Sequence, residues 1–438
     1  MASSSPSCPP SAVSTGVGLA GLAGLAIWVA IAFHYGMDGP SAGLTAILAC
    51  GVPMILWSLL VDKVHRRDST GIDWSSPRRV ADIFDISAVK LLGLWATWGA
   101  IAFFYMTFAW YWQGPYAQVM GLLGHVGPVL VAASIPYVIW LDRYLVEPRD
   151  GAHALGLWLL NREEKPRPGA VADHVRAWAV KAFFLTFMLA VVPGNFADMI
   201  HWRDDAISGN PVALASFLIA VLFTIDVAFA TVGYILTFRP LDAHIRTATP
   251  YLEGWVAALI CYPPFVAMGV GGPLNYQVDT RDWAYWLGGH EALLWVWGAV
   301  LVVLTGIYAW ATVAFGPRFS NLTHRGIITH GPYRLTKHPA YVAKNLFWWL
   351  SVLPFLVTSD SPATAVRNTL LLGIVSAIYY WRARTEEKHL SADPDYRAYA
   401  AWAAAHAPIT RLLTGLRGRP GTNALPAARQ ATAEGDRA

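Results

Sequence analysis

Charged residues are scarce in this chain, since Asp, Glu, Lys and Arg fill 14% of its 438 positions while apolar residues fill 55%. Soluble domains carry about 25% charged residues, so the composition excludes a soluble protein and indicates an integral membrane protein. Cysteine is rare as well, and Cys8, Cys50 and Cys261 are too widely separated for a metal or redox motif. We therefore expect no metal site and assign these cysteines no chemistry.

A basic segment before the first apolar run is also lacking. The opening residues MASSSPSCPPSAVST contain no Lys or Arg, and the apolar run that follows is too long for a signal peptide. We expect this run to remain in the mature protein. The net charge of +4 needs no nucleic-acid partner, because the basic residues are distributed over the predicted connections between spans.

Apolar stretches of about 20 residues predict ten membrane-spanning helices. They cover residues 15 to 36, 42 to 62, 90 to 112, 119 to 141, 180 to 200, 212 to 237, 249 to 271, 290 to 315, 340 to 358 and 365 to 381. With these spans, 28 Lys and Arg lie in the connections and tail of one side, and only Arg203, Arg281 and Arg367 lie on the other. This asymmetry is what the positive-inside rule requires. We predict an all-α polytopic membrane bundle of about ten helices with both termini cytoplasmic, in a bacterial inner membrane.

Three regions are predicted along the chain. Residues 1–289 form an N-terminal membrane region of about seven helices with no assigned role, and residues 290–416 form a membrane domain that carries the motifs. Residues 417–438 are small and polar, and we expect them to be disordered.

Two polar blocks flank the last predicted spans. The first reads THGPYRLTKHPAY from Thr329 to Tyr341, and the second reads RARTEEKHLSADPDYRAY from Arg382 to Tyr399. Polar residues at a membrane surface are costly unless they bind something, so the blocks predict a binding site. Pro339 suits a first helical turn, and a helix start favours an anionic group.

Two features of the blocks have a second interpretation. Lys344 follows on the face of Tyr341, and its ammonium either serves the site or simply reaches back to the membrane interface. Glu386 and Glu387 either accept hydrogen bonds from a ligand or pair with neighbouring cations on a wet helix.

Taken together, the blocks resemble the isoprenylcysteine carboxyl methyltransferases and the related phospholipid methyltransferases, over roughly residues 316 to 410. This resemblance implies an S-adenosylmethionine site at the cytoplasmic end of the last two helices. It implies cofactor contacts from Tyr333, His338, Pro339, Tyr341, Glu386 and Glu387, catalytic roles for Arg382, Arg384 and His338, and closure of the pocket by Tyr396 and Tyr399. Lys337, where arginine is usual, and Ala343-Lys344, where a glycine is common, depart from the family pattern.

The methyl acceptor is expected to be lipophilic, because such a site opens sideways to the bilayer. An isoprenylcysteine-type carboxylate is ionised at neutral pH and needs no base, whereas an amine or phenol would need one, such as His338 or His389. Asp226 and Arg246 are candidate substrate-binding residues, since ionisable residues at membrane depth are functional candidates. Asp226 has the equal alternative of a hydrogen bond between helices.

Two other classes stay open. The membrane sterol reductases, which use NADPH, share a similar His-Pro and acidic pattern and about ten spans. A transporter or channel would use Asp226 as an ion site, but no further intramembrane carboxylates accompany it. The residues do not indicate an oligomeric state.

Overall fold

The chain folds into fifteen α-helices and one two-stranded antiparallel sheet within residues 7–162, 164–206 and 209–415, which this computed structural model describes. The first part contains α1 (Thr15–Tyr35), α2 (Pro40–Leu56), α3 (Val80–Thr107), α4 (Gly114–Asp142), α5 (Gly151–Leu159), α6 (Ala170–Ala206) and α7 (Pro211–Ile235). The second part contains β1 (Thr247–Ala248), α8 (Leu252–Leu259), α9 (Trp283–Trp286), α10 (Glu291–Phe315), β2 (Thr323–His324), α11 (Pro339–Val352), α12 (Phe355–Thr358), α13 (Pro362–Leu390), α14 (Pro394–His406) and α15 (Pro408–Gly415). The tail predicted to be disordered, residues 417–438, lies outside the described residues.

Seven of these helices are long and apolar enough to cross a membrane: α1, α2 with its continuation to Val61, α3, α4, α6, α7 and α10. Their lengths of 21 to 34 residues exceed the roughly 20 residues that a bilayer core requires. The predicted all-α membrane bundle is confirmed, and seven of the ten predicted spans correspond to these helices. The chain is a multi-pass membrane protein.

Glycines allow neighbouring helices to approach closely. A Cβ atom at Gly24 of α1 would lie 2.1 Å from the carbonyl oxygen of Ala49 in α2. Gly93 of α3 and Gly156 of α5 face each other, and a Cβ on either would lie 2.0 Å from a carbonyl oxygen of the other helix. Small residues at such contacts are typical of membrane helices, and they hold α5 against the bundle as a packed helix.

The predicted span 249 to 271 is wrong as a continuous helix. Only α8 is helical here, and the chain then passes through Tyr262, Pro263 and Pro264 and the run Gly269–Pro273 in turns. Proline removes a backbone donor and clashes with the preceding turn, and glycine disfavours a helix. The hydropathy of this stretch identified an apolar segment but not its helix breakers.

The last two predicted spans are also corrected. Span 340 to 358 is divided into the 14-residue α11 and the four-residue α12, because Pro354 follows the end of α11. Span 365 to 381 lies within α13, which has 29 residues but is not among the helices apolar enough to cross a membrane. The polar pair Arg367-Asn368 near its start and the charged residues from Arg382 onward reduce its apolar length.

Residues 249–278 nevertheless cross the bundle. Near the end of α13, the His389 ring lies 3.0 Å from the Thr247 hydroxyl, and near its start Asn368 donates a hydrogen bond to the Val278 carbonyl at 2.8 Å. The 21 residues between these two positions on α13 correspond to about 30 Å of helix. We call the end of the bundle with β1 and β2 the sheet end, and the other the far end. The chain therefore passes from the sheet end to the far end between α7 and α10, and this crossing is mostly non-helical.

A buried guanidinium fixes the sheet end. Arg325 is 3% exposed and donates hydrogen bonds to five carbonyl groups, those of Gly233, Leu236, Ala243, Pro317 and Phe319. These carbonyls belong to the ends of α7 and α10 and to the connection after α7. Burial and the nearby charge of Arg318 lower the pKa of Arg325 to about 9, so the side chain remains a cation at neutral pH.

Labelling of introduced cysteines from the two sides of a membrane will test whether residues 249–278 cross it. In a chain with its three cysteines replaced, we expect Pro250→Cys and Gln277→Cys, both at exposed positions, to react with an impermeant maleimide from opposite sides of a sealed membrane. Labelling of both from one side would contradict the crossing. Cysteines placed at Arg66 and Asp360 provide references for the two sides.

Arg325→Lys is expected to destabilise the protein by at least about 2 kcal/mol, because an ammonium with three donors leaves at least two buried carbonyls unpaired. The measurement is thermal unfolding of the purified protein in detergent. Arg334→Lys, at an exposed position nearby, is the matched control and should have no effect. Equal stability of the two variants would show that Arg325 does not hold these elements together.

Candidate functional site

A cavity of about 180 Å³ lies at the sheet end, among α10, α11, α13, α14 and the connection from Arg318 to Ile328. Both polar blocks of the sequence line it, so the structure brings together segments that are separated by about fifty residues. Of the predicted site residues, the cavity lining includes Tyr333, His338, Pro339, Tyr341, Arg382, Glu386, Tyr396 and Tyr399.

Helix α11 places the first block. It begins at Pro339, as the sequence predicts, with His338 as the N-cap residue. The His338 and Tyr341 rings are stacked, with centroids 5.7 Å apart and planes 8° from parallel. The stack directs the Tyr341 hydroxyl toward α13, where it donates a hydrogen bond to Glu386.

Glu387 anchors the start of α11 to α13 from just outside the cavity lining. Its carboxylate contacts the His338 ring at 3.1 Å, pairs with the Lys337 ammonium, and accepts a hydrogen bond from Arg384 at 2.8 Å. Burial disfavours its charge, but the hydrogen bonds and charges of His338 and Lys337 outweigh burial and lower the pKa of Glu387 to about 2. The carboxylate is therefore ionised at neutral pH.

Arg382 lies deep in the cavity wall and is 3% exposed. Its guanidinium carbon is 5.2 to 5.7 Å from the ring centroids of Tyr262, Tyr341 and Tyr379. One nitrogen donates a hydrogen bond to the Asn321 side chain at 3.2 Å, whereas the Nε atom has no partner among the described residues. A buried donor without a partner is costly, so this nitrogen is available to a ligand.

Helix α14 covers the cavity. Asp393 caps its start by accepting hydrogen bonds from the amides of Asp395 and Tyr396, and the Tyr399 hydroxyl donates to the Tyr333 carbonyl at 2.7 Å. The Tyr396 hydroxyl is buried and has no hydrogen-bond partner within the part of the chain that the structure describes. Burial and the nearby charge of Glu387 raise the pKa of Tyr396, so it stays a neutral phenol.

The other predicted residues are placed differently. Arg384 has a 60% exposed side chain and does not line the cavity, because it faces outward to pair with Glu387. Arg246 is also outside the cavity lining and lies 3.8 Å from Asp242. Asp226 lies behind the lining, where it accepts hydrogen bonds from Tyr308 at 2.8 Å and from Thr312 at 2.5 Å.

Sequence reasoning missed several lining residues. Tyr308 and Thr312 are spaced four apart in α10, and Tyr379 lies three residues before the predicted Arg382 on the same face of α13. These helical spacings were visible in the sequence. Tyr262 and Asn321 had no such signal, because they lie in irregular segments.

His389 also lines the cavity, and burial with the nearby charge of His324 lowers its pKa to about 4.

Comparisons with known proteins give one family match. Residues 292–403 match the family described as "Protein of unknown function (DUF1295)". The match begins at the second residue of α10 and ends within α14, so it covers α11 and α13 completely and most of α10 and α14, the four helices that surround the cavity. No curated protein and no solved structure matches the chain.

Acidification is expected to weaken the contact between α11 and α13. Because the pKa of Glu387 is lowered on folding, its stabilising contribution is complete above about pH 5 and is lost as pH falls toward 2. We expect a loss of about 1–3 kcal/mol, allowing for solvent screening. Thermal unfolding between pH 5 and 3 measures it, and Glu387→Gln should remove this part of the dependence. Glu291→Gln, at an exposed position in α10, should leave the dependence unchanged.

Proposed function

We propose that this protein is an S-adenosylmethionine-dependent membrane methyltransferase that acts on a lipophilic acceptor. The observation that carries the proposal is the convergence of the two polar blocks on one cavity, with the Glu386 carboxylate, the Arg382 Nε atom and the Tyr396 hydroxyl available within it. The blocks are also the part of the chain that resembles the isoprenylcysteine carboxyl methyltransferases. The membrane is proposed to be a bacterial inner membrane, with the cavity at its cytoplasmic side.

The donor set fits this cofactor. Glu386 offers carboxylate oxygens to an ammonium or to ribose hydroxyls, and the stacked rings of His338 and Tyr341 offer aromatic faces to a sulfonium or an adenine. Tyr333 and Pro339 complete this wall, and Glu387 supports it by holding His338 and Lys337. When bound, S-adenosylmethionine supplies a methyl group that is already activated.

Binding requires the cavity to widen. Its volume of about 180 Å³ is below the roughly 300–1,000 Å³ of typical ligand pockets. The hydrogen bond between Tyr341 and Glu386 joins α11 to α13 across the cavity, and the hydrogen bond from Tyr399 to the Tyr333 carbonyl holds α14 over it. We propose that a ligand replaces the first of these contacts and that α14 adjusts around it, which also keeps water from the reacting groups.

The protein groups then have separate tasks. Arg382, held among three tyrosines, orients an acidic acceptor. His389 has a lowered pKa of about 4 and is therefore neutral at pH 7, which allows it to accept a proton if the acceptor is an amine or phenol. His338 is less suited to that task, since its ring nitrogen contacts Glu387.

A second candidate is an NADPH-dependent reductase. The observation that favours it is the positive lining of the cavity, which contains Arg318, Arg325, Lys337, Lys344 and Arg382 against the single carboxylate of Glu386. Phosphate groups suit such a lining. Glu386 beside the stacked rings favours a cationic cofactor instead, and we place the reductase second.

Equilibrium binding of S-adenosylmethionine and of NADPH to the purified full-length protein tests the proposal. We expect S-adenosylmethionine to bind and the double variant Glu386→Gln, Glu387→Gln to weaken it at least about tenfold, because charged hydrogen bonds each contribute roughly 1.5–3 kcal/mol. His338→Ala should also weaken binding. Glu253→Gln, which changes a glutamate paired with Lys388 on the outer surface of α13, is the matched control.

Two outcomes would contradict the proposal at different levels. Tight NADPH binding without S-adenosylmethionine binding would replace the methyltransferase by the reductase. Binding of S-adenosylmethionine that neither variant changes would show that the cofactor lies elsewhere. Labelled methyl transfer to prenylated thiols or phospholipids then identifies the acceptor.

A further inference from the structure

The two ends of the cavity differ in how their cations are paired, since Arg318 and Lys337 at the sheet end pair with Asp242 and Glu387. Along α13, Tyr379, Arg382 and Glu386 lie on one face, and along α11 His338, Tyr341 and Lys344 do the same. Seven residues separate Tyr379 from Glu386, which corresponds to about 10 Å along the helix. The glutamates are at the sheet end, whereas Arg382 and Lys344 lie deeper, toward the middle of the bundle.

Lys344 is held by aromatic rings. Its ammonium lies 4.9 Å from the ring centroid of Tyr308, 5.5 Å from that of Trp348 and 5.8 Å from that of Tyr379. Among the described residues, no oxygen or nitrogen accepts a hydrogen bond from it and no carboxylate lies within ion-pair distance. A lysine that merely extended to the membrane surface would not turn into an aromatic enclosure that lines a cavity.

Arg382 and Lys344 face the same ring. The guanidinium carbon of Arg382 is 5.3 Å from the centroid of Tyr379, and the Lys344 ammonium is 5.8 Å from it. Asp226 is the only described carboxylate on this deep side, and its two oxygens already accept hydrogen bonds from Tyr308 and Thr312. The buried Arg382 and the partly buried Lys344 therefore share one carboxylate among the described residues, and buried charge is costly unless it is paired.

We propose that Lys344 and Arg382 form a subsite for the anionic group of a lipid, with Tyr308 and Tyr379 as its walls. This inference rests on the proposed function and specifies its acceptor as an anion attached to an apolar chain. A carboxylate or a phosphate would supply the missing negative charge. We assign the subsite to the acceptor and not to the cofactor, because Lys344 lies six residues beyond His338, about 9 Å along the helix and deeper in the bundle than the glutamates.

Competition binding to the full-length protein in detergent tests the subsite. The probe is radiolabelled oleate, with oleamide as its neutral analogue of equal chain length and oleoyl lysophosphatidate as the phosphate arm. We expect an anionic lipid to bind at least about tenfold more tightly than oleamide, and the better anion of the two identifies the headgroup. Lys344→Met should remove this preference and Lys344→Arg should retain most of it.

Two further variants show whether a change in lipid binding comes from the altered charge at the subsite or from misfolding. Lys181 is another partly buried lysine, with its ammonium 4.3 Å from the ring centroid of Trp178, and it lies outside the cavity lining. Lys181→Met should leave the preference for anionic lipids unchanged. Asp226→Asn removes the competing carboxylate while it keeps an acceptor for Tyr308, so it should tighten oleate binding severalfold. A misfolded variant would not gain affinity.

Three results would overturn the subsite. Equal binding of anionic and neutral lipids would exclude it, as would unchanged oleate affinity in Lys344→Met. Weaker S-adenosylmethionine binding in Lys344→Met without lipid would assign Lys344 to the cofactor. If S-adenosylmethionine does not bind at all while the preference depends on Lys344, the subsite stands and the methyltransferase proposal fails.

Discussion

Burial of a single guanidinium determines how the sheet end is built. Arg325 gathers carbonyls from the ends of α7 and α10, where a helix always has acceptors without intrahelical partners. In a membrane protein these acceptors cannot rely on water near the bilayer, and one cation with five donors satisfies them together. The connection from Arg318 to Ile328 is thereby fixed against α7, and this connection forms one wall of the cavity. Without that wall, the two polar blocks on α11 and α13 would face open solvent or lipid.

The second buried arginine of the connection, Arg318, pairs with Asp242 at 2.5 Å and ties the same region to the turn after α7.

The two ends of the resulting cavity differ in how their charges are paired. Carboxylates paired with cations occupy the sheet end, and aromatic rings with two cations occupy the deeper end. Aromatic residues serve both parts, because a ring accepts a cation on its face and excludes water at the same time. This arrangement explains why tyrosine is the commonest side chain of the lining. It also separates two ligand-binding tasks in one small space, which suits a reaction between a polar cofactor and a lipid.

The sequence predicted the all-α membrane class, seven of the spans and the two polar blocks that line the cavity. It failed where polarity or irregular backbone decided the outcome. Composition and apolar length sufficed for α1 to α4, α6, α7 and α10, since a bilayer imposes both. The charge asymmetry between the two sides concerns how often the chain crosses and not the backbone structure of each crossing. The crossing at residues 249–278 was therefore expected as a helix, and it is mostly not one. Arg246 and Arg384 were expected at the site but pair with Asp242 and Glu387 outside the cavity lining, because residue type alone does not give side-chain direction. Tyr262 and Asn321 could not be predicted, since contacts far apart in sequence place them.

The non-helical crossing gives the cavity one wall that lacks the continuous hydrogen bonds of a helix. A continuous helix resists bending because every turn is tied to the next by hydrogen bonds, whereas residues 260 to 282 are joined by isolated turns. Tyr262, in this segment, touches the cavity from the side of α13. On that side the cavity wall is held by side-chain contacts, such as those of Tyr262 with Phe184 and Phe187 of α6, and not by a ladder of backbone hydrogen bonds.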